Sequence, residues 1–235
     1  MPHHTPQGPS GHIVEYAPAM TPGKGSGAAL SRAMAWALAV TLFSLALLAT
    51  GARAEVRKAS FAGGCFWCVE ADFEKLDGVL DVVSGFTGGT LQNPTYRGNH
   101  EGHYEAAEIT YDSDEISYEA LLTHFWRTVD PLDAGGQFCD RGFSYKTAIF
   151  VANEEEREAA ERSLQEVDAL FPDDVVATVI LPAGRFWPVE EYHQDYAKKN
   201  PLRYKYYRFG CGRDKRVKEL WGDKDWRLLD SAAAE

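Results

Sequence analysis

The chain has 235 residues, of which 45% are hydrophobic and 25% charged, a composition that excludes a wholly disordered protein. Its charge is unevenly divided: residues 55–235 carry 34 acidic and 21 basic side chains, whereas residues 1–54 carry one acidic and three basic ones. A folded part this acidic repels a phosphate backbone, so the composition argues against nucleic-acid binding and favours a soluble monomer.

The first 54 residues have the organisation of an export signal. Residues 33–50 contain no charged side chain and follow two basic residues. The small-x-small pattern from Ala52 to Ala54 then predicts cleavage after Ala54. An uncleaved segment of this length would instead anchor the protein in a membrane. In both cases residues 55–235 are expected outside the cytoplasmic membrane, in the periplasm of a Gram-negative source.

Residues 55–235 alternate between predicted strands and helices. Runs rich in β-branched residues predict strands at residues 56–62, 79–86, 106–111, 146–151 and 175–181. Apolar residues at helical spacing predict helices at residues 65–76 and 116–129, and Asn153 is predicted to cap a third. From Gly184 onward the chain is expected to be coil with short helices. Because neither a linker nor a repeat interrupts the pattern, we predict one α+β domain.

All four cysteines lie in the part predicted to be exported, at positions 65, 68, 139 and 211. Two structural disulfides would be the ordinary interpretation for an exported protein. A bond between Cys65 and Cys68, however, would close too small a loop to restrict the unfolded chain much. A zinc site is a second interpretation, but zinc sites usually combine two close pairs, and Cys139 lies far from Cys211 in sequence. Redox chemistry is the third interpretation, and we favour it.

Cys65 has the sequence context of a reactive thiol. It follows Gly63 and Gly64 and opens a predicted helix, where backbone N–H groups and the helix dipole stabilise a thiolate and lower its pKa. The two glycines also permit a sharp turn that would leave the sulfur exposed. Cys68 lies one helical turn later, within reach of Cys65. The pattern therefore predicts a redox-active pair in which Cys65 is the nucleophile.

The segment Gly63-Gly64-Cys65-Phe66-Trp67-Cys68-Val69-Glu70 resembles the signature of the peptide methionine sulfoxide reductase A family. Segments resembling other parts of that family follow in the same order, at residues 85–96, 102–106, 125–131, 137–145 and 192–201. The resemblance covers nearly all residues from 56 to about 221. It implies an α+β fold, a two-layer sandwich with a ferredoxin-like core and a long coiled C-terminal tail.

The resemblance also implies an activity, the reduction of the S epimer of methionine sulfoxide in oxidised proteins. Cys65 would attack the substrate sulfur. Glu105 matches the acid that protonates the departing oxygen, which requires a neutral carboxyl, and burial would supply it. Tyr96 and Tyr145 match two phenols that donate hydrogen bonds to the same oxygen. Asp140 matches a polar residue that orients them.

Two further residues of the implied pocket are aromatic. Phe66 and Trp67 match the apolar wall that receives the S-methyl group of the substrate. Phe66 also lies on the apolar face of its predicted helix and could belong to the core, whereas Trp67 lies off that face. His103 and His193 are interpreted as structural hydrogen-bonding residues, because the family gives neither of them a catalytic role.

The implied reaction oxidises Cys65 to a sulfenic acid, which a second thiol must remove. Cys68 is predicted to resolve it first, and Cys211, which matches the family's recycling cysteine, to act as relay. Cys139 is interpreted as a packed thiol. A thioredoxin-like donor outside the membrane would then restore the dithiol, and the resemblance implies no metal, flavin or nucleotide.

Two other classes of protein share part of this pattern. An exported thiol–disulfide oxidoreductase also uses Cys-x-x-Cys at a helix start, but it usually carries Trp before the first cysteine. It would also have no need of Glu105 with two tyrosines. A non-enzymatic binding domain held by disulfides would contain no free thiol in its folded state.

Overall fold

The computed structural model of the protein describes residues 55–222. The predicted export signal and its cleavage site lie outside these residues and stay predictions. Within residues 55–222, no helix combines the length and the hydrophobicity needed to cross a membrane.

Strands and helices follow one another along the described residues. In chain order they are β1 (Val56–Gly63), α1 (Phe66–Phe73), β2 (Val79–Thr87), β3 (Tyr104–Asp112), α2 (Tyr118–Trp126), β4 (Gly136–Gln137), β5 (Asp140–Arg141), β6 (Thr147–Val151), α3 (Glu154–Leu170), β7 (Val179–Pro182), β8 (Trp187–Pro188), α4 (Tyr196–Lys199), α5 (Pro201–Gly210) and α6 (Arg213–Trp221). Two short 3₁₀ turns, Phe143–Tyr145 and Glu191–His193, complete the set.

Six of the strands form one sheet in the order β7-β6-β1-β3-β2-β8. All neighbouring strands are antiparallel except β6 and β7, which are parallel. The inner strands β6-β1-β3-β2, with α1 after β1 and α2 after β3, have the strand order of a ferredoxin-like fold. The predicted α+β class and ferredoxin-like core are therefore confirmed.

The predicted elements agree with the observed ones to within a few residues, apart from one strand start. β7 was expected from residue 175 but begins at Val179, where its ladder to β6 begins. The preceding residues bond elsewhere: the Ala177 N–H donates to the Pro131 carbonyl at 2.7 Å. The predicted cap at Asn153 is present, since its side chain accepts a hydrogen bond from the Glu156 N–H at 2.9 Å.

The hydrophobic core lies between one face of the sheet and helices α1, α2 and α3. Alternate residues of β3, among them Ala107 and Ile109, are buried in this core. Aromatic rings from β1 and two helices stack inside it, with Phe61 5.3 Å from Phe73 and 5.2 Å from Phe125. Because side chains alternate along a strand, Glu105 shares the helix-covered face with Ala107 and Ile109.

The turn between β1 and α1 positions the first cysteine and requires glycine. Gly64 has a φ of +87°, and a Cβ atom there would lie 2.6 Å from the Cβ of Gln137. Two hydrogen bonds to the backbone of Asp130 hold the Gln137 side chain in place. Its Oε1 accepts from the Asp130 N–H at 2.9 Å, and its Nε2 donates to the Asp130 carbonyl at 2.7 Å. The β4–β5 hairpin is therefore packed directly against the turn that leads to Cys65.

The C-terminal tail contains more helix than expected. From Gly184 to the start of α5 the tail is mostly irregular and contains only β8, a 3₁₀ turn and the short helix α4. It then forms the two longer helices α5 and α6. The indole N–H of Trp221 in α6 donates to the Val129 carbonyl at 3.0 Å, and Leu220 and Trp221 are buried in the main core. The tail thus returns to the body of the protein and contributes to its packing.

Candidate active site

Cys65 and Glu105 meet at the N-terminus of α1. Cys65 is the N-cap residue, and its carbonyl accepts a hydrogen bond from the Cys68 N–H at 3.0 Å. The first helical N–H, that of Phe66, donates to Oε2 of Glu105 at 3.2 Å. The start of the helix and strand β3 therefore place a carboxyl group beside the thiol, as the family resemblance implied.

Glu105 is held as a neutral acid. Its side chain is only 1% exposed, and burial raises its pKa to about 8, even though the hydrogen bond from Phe66 favours the charged form. The nearby charge of Asp140 raises this pKa as well. Oε1 of Glu105 is buried and has no hydrogen-bond partner among residues 55–222. Below pH 8 the group therefore carries a proton and has one oxygen free to engage a ligand.

The two free cysteines have opposite pKa shifts. Burial raises the pKa of Cys65, and hydrogen bonding to Cys68 and the charges of Cys68 and Glu105 raise it further. The hydrogen bond from Cys65 lowers the pKa of Cys68 to about 6, with help from the charges of Arg213 and Arg208. Of the two thiols, Cys68 is therefore the one whose charged form the surroundings favour.

The predicted pKa and exposure of Cys65 are therefore wrong for the resting protein. Its residue is 6% exposed, because Gly64 turns the chain inward against Gln137 instead of leaving the sulfur at the surface. In this position burial outweighs the stabilisation that the start of a short helix gives to a thiolate.

Two phenols lie close enough to Glu105 to be affected by its charge. Tyr96 lies in the loop between β2 and β3, and Tyr145 ends the 3₁₀ turn before β6. Burial and the charge of Glu105 raise the pKa of Tyr96 to about 12 and that of Tyr145 well above its ordinary value. Both hydroxyls therefore stay protonated and can donate hydrogen bonds.

Tyr207 is a third phenol at this site, and no feature of the sequence singles it out. Its hydroxyl donates to Oδ2 of Asp140 at 2.5 Å and lies close enough to the Cys65 thiol to act against the rise in the pKa of that thiol. Burial raises its pKa, so it remains a donor. The sequence offers three neighbouring tyrosines in α5, and only the fold shows that Tyr207 faces the thiol. Asp140, predicted to orient pocket residues, contacts this one.

The two aromatic residues after Cys65 differ in their positions. Phe66 is fully buried and packs against Phe86 and Tyr96, with ring centroids 5.9 and 6.0 Å away. Trp67 is half-buried and stacks on Tyr196 at 3.7 Å. Phe66 therefore supports the pocket from behind, whereas Trp67 presents a partly accessible ring.

Both histidines hold neighbouring groups in place. Nδ1 of His193 accepts the indole N–H of Trp67 at 3.1 Å, so the ring is neutral at this nitrogen, and burial lowers its pKa. His103 bonds the Gly89 N–H at 3.3 Å and the Leu91 carbonyl at 2.9 Å. These contacts support the structural interpretation of both residues.

The other two cysteines, Cys139 and Cys211, are joined in a disulfide, while Cys65 and Cys68 are free thiols. The interpretation of Cys139 as a packed thiol is therefore wrong: it lies exposed at the tip of the β4–β5 hairpin, where the end of α5 meets it. A four-cysteine zinc site is excluded in this state, because Cys139 and Cys211 are bonded to each other. Two structural disulfides are excluded by the free pair.

Comparisons with known proteins agree with this arrangement. The family model described as peptide methionine sulfoxide reductase matches residues 57–225. A peptide methionine sulfoxide reductase of Caulobacter vibrioides is 50% identical over 192 residues, covering 78% of this chain and 97% of the relative. One from Bacillus licheniformis is 51% identical over 171 residues, covering 71% of this chain and 94% of the relative.

Solved structures give the same result. The methionine sulfoxide reductase A of Corynebacterium diphtheriae superposes with a TM-score of 0.56 and 29% identity, covering 64% of this chain and 78% of that one. The reduced form of Mxr1 from Saccharomyces cerevisiae also gives a TM-score of 0.56, with 25% identity over 62% of this chain and 86% of that one. With a free thiol pair beside a neutral carboxyl and a profile match over most of its length, the chain belongs to the peptide methionine sulfoxide reductase family.

Proposed function

We propose that the protein reduces the S epimer of methionine sulfoxide in oxidised proteins, with Cys65 as nucleophile and Glu105 as acid. The observation that carries this proposal is the buried carboxyl of Glu105, whose raised pKa keeps it protonated and whose Oε1 has no partner among the described residues. A sulfoxide oxygen bound there would receive its proton, with hydrogen bonds from Tyr96 and Tyr145.

In the first step the Cys65 sulfur attacks the substrate sulfur while Glu105 protonates the oxygen. The Cys65 proton passes to Cys68, its hydrogen-bonded neighbour and the more acidic thiol. The protonated oxygen then passes from the substrate sulfur to the Cys65 sulfur and the bond between the two sulfurs breaks, so methionine leaves and Cys65 becomes a sulfenic acid. The substrate gains two electrons and Cys65 loses two. The half-buried ring of Trp67 would contact the S-methyl group.

Cys68 then resolves the sulfenic acid. It lies within hydrogen-bonding contact of Cys65, and its lowered pKa makes it a nucleophile near neutral pH. Its attack on the Cys65 sulfur forms a disulfide and releases the oxygen as water. Cys211 is bonded to Cys139 and not free, which supports Cys68 as the first resolving thiol.

Cys211 acts as the relay, with Cys139 as its partner. Once reduced, the Cys211 thiol attacks Cys68 in the Cys65–Cys68 disulfide and frees Cys65. Cys139 then attacks Cys211, frees Cys68 and regenerates the bond seen in the structure. A thioredoxin-like dithiol supplies the two electrons by reducing that bond. The scheme needs no bound metal or organic cofactor, because thiols carry every electron.

Purified variants supplied with the separated S and R epimers test this scheme. With dithiothreitol, wild type should form methionine from the S epimer alone, and Cys65→Ser should form none, because a hydroxyl is too weakly ionised to attack sulfur. Without added reductant, Cys68→Ser should release one methionine per molecule and accumulate a Cys65 sulfenic acid. A Cys65–Cys211 bond forming at the wild-type rate in Cys68→Ser would show that Cys211 resolves first.

The same assay distinguishes sulfoxide reduction from the alternative function, thiol–disulfide exchange with protein substrates. A thiol–disulfide oxidoreductase using Cys65 and Cys68 would reduce protein disulfides quickly and methionine sulfoxide of neither epimer. Such a result would contradict the proposed activity and leave Glu105 without a role in it.

We also propose that the protein is exported and acts outside the cytoplasmic membrane. Support comes from the uncharged segment at residues 33–50 and the small-x-small pattern ending at Ala54. The Cys139–Cys211 disulfide is consistent with an oxidising compartment.

A further inference from the structure

Helix α5 presents an unusual face to solvent. Leu202, Tyr206 and Phe209 are 83%, 82% and 85% exposed, the highest values among large apolar side chains of residues 55–222 apart from Val175. Their spacing of four and three residues places all three on one side of the helix. The opposite side of the helix packs against the rest of the protein, because Tyr204 is buried and Tyr207 reaches the active site. We call Leu202, Tyr206 and Phe209 the α5 stripe.

The α5 stripe is bordered by positive charge. Arg203 and Lys205 lie on either side of it, both are exposed, and neither forms an ion pair with another residue of the described range 55–222. Residues 201–221 carry seven basic and two acidic side chains, whereas the whole chain has a net charge of −11. Arg213 is buried, and Arg208 and Arg216 pair with acidic residues, so among residues 55–222 the positive charges beside the α5 stripe are those of Arg203 and Lys205.

The α5 stripe ends beside the disulfide. Phe209 lies two residues before Cys211, which is bonded to the exposed Cys139. Cys65 and Cys68 are only 6% and 2% exposed, so a protein-sized reductant cannot reach them without rearrangement. The Cys139–Cys211 bond is the disulfide that such a reductant can approach, and the α5 stripe is the apolar surface next to it.

We propose that the α5 stripe is the docking surface for the protein dithiol that reduces the Cys139–Cys211 disulfide. This inference rests on the proposed function, since it assigns the entry point of that cycle. The partner it fits is a dithiol protein whose reactive cysteine lies beside an apolar patch on an acidic surface. Apolar contact would supply affinity, and the charges of Arg203 and Lys205 would speed encounter and orient the partner.

Reduction of the Cys139–Cys211 disulfide at this surface takes two thiol–disulfide exchanges. The donor thiolate attacks the Sγ atom of exposed Cys139, and Cys211 leaves as a thiolate that takes up a proton. The second donor thiol then attacks the donor sulfur of the mixed disulfide and frees Cys139. The donor loses two electrons and two protons, and the Cys139–Cys211 pair gains both.

Steady-state kinetics with two reductants test the proposal. The Leu202→Ser/Phe209→Ser double variant should raise the KM for a bacterial thioredoxin of acidic net charge by about tenfold or more, because it removes the centre of the contact. Turnover with dithiothreitol, which needs no docking surface, should stay within about twofold of wild type, since exposed substitutions barely change stability. Methionine release in a single turnover should also be unchanged.

Two further variants test whether the effect is specific to the α5 stripe and whether charge contributes to it. Val175→Ser removes an equally exposed apolar side chain, 83% exposed, and should leave the KM for thioredoxin unchanged. Arg203→Glu/Lys205→Glu should raise that KM at low ionic strength, with the effect shrinking as salt is added.

Several outcomes would overturn the docking proposal. An unchanged thioredoxin KM in the double variant would do so directly. Loss of binding to anionic lipid vesicles, or of a dimer in sedimentation, together with an unchanged KM would assign the α5 stripe to a membrane or to a second copy. Absence of methionine formation from the S epimer with dithiothreitol would instead contradict the proposed function itself, so the two failures are distinguishable.

Discussion

At the scale of single residues, the site depends on where one proton and one negative charge reside. Burial keeps the proton on Glu105, while hydrogen bonding and two arginines draw the charge of the thiol pair onto Cys68. The nucleophile Cys65 is thus protonated at rest. In the proposed reaction its proton passes to Cys68 during attack, so Cys68 contributes to both half-reactions without being required for the first.

The acid role of Glu105 predicts a specific pH dependence. The pKa of its carboxyl is raised to about 8, so it is protonated below that pH and loses its proton above it. The single-turnover rate of wild type should therefore fall as pH rises through about 8. Glu105→Gln keeps the shape but removes the proton, so the rate should drop by about 10²–10⁴ and the break near pH 8 should disappear. Near-wild-type single turnover in the variant at pH 7 would exclude Glu105 as the acid.

Tyr207 should influence the reactivity of Cys65 through its hydroxyl. The hydrogen bond from Tyr207 lowers the pKa of Cys65, against the stronger effect of burial. Tyr207→Phe keeps the ring against Trp67 but removes the hydroxyl that contacts both Cys65 and Asp140, so alkylation of Cys65 by iodoacetamide and methionine release should slow by about tenfold. Tyr206→Phe, an exposed neighbour, is the matched control. Equal rates in both variants would deny Tyr207 a role at the thiol.

At the scale of elements, the reaction geometry depends on the short turn that joins β1 to α1. Gly64 adopts a backbone conformation unfavourable for other residues, and the neighbouring β4–β5 hairpin leaves no room for a side chain. The hairpin in turn carries Cys139 and Asp140, so one small element contacts the turn, Tyr207 and the disulfide.

Substitution of Gly64 tests this dependence. Gly64→Ala combines a positive φ with a contact to Gln137, so we expect a loss of at least about 1–2 kcal/mol in unfolding free energy. Displacement of Cys65 should also lower the single-turnover rate. Gly184→Ala is the control, because a Cβ atom there meets nothing within 4 Å. Urea unfolding curves that coincide for the two variants would show that the turn tolerates a side chain.

At the scale of the whole molecule, distant parts of the chain meet at one site. The thiol pair comes from α1, the acid from β3, one phenol from the loop before it, and Tyr207 from the C-terminal α5. The disulfide between Cys139 and Cys211, which lie 72 positions apart in sequence, joins the end of α5 to the β4–β5 hairpin beside the pocket. The C-terminal helices therefore belong both to the pocket and to its proposed route of reduction.

Export predicts a shorter mature protein. Expressed from its own gene, the chain should lose about 54 residues, because the Ala52-x-Ala54 pattern matches that of a signal-peptidase site, and should fractionate outside the cytoplasm. N-terminal sequencing of the mature protein measures this. Finding residues 34–50 on the soluble protein would contradict it, whereas finding them on a membrane-bound form would indicate an anchor.

Much of this protein could be predicted from its sequence. The alternation of β-branched runs and helical spacing gave the α+β class and most element positions, because both depend on local periodicity. The Gly-Cys-Phe-Trp-Cys segment and its ordered companions indicated the family, and the comparisons agree. Glu105, Tyr96 and Tyr145 were identified through that resemblance, since no local pattern distinguishes them from other acids and tyrosines.

Other properties were decided only by the tertiary structure, because they depend on burial and on contacts between distant residues. The protonation of Cys65 reverses the expectation from its helix position, since the hairpin at Gln137 encloses the turn. The bond between Cys139 and Cys211, and the choice of Tyr207 over its neighbours, require the tail to fold back onto the hairpin. Periodicity fixes which residues share a helix face, but only packing decides which face is buried and which is left for a partner.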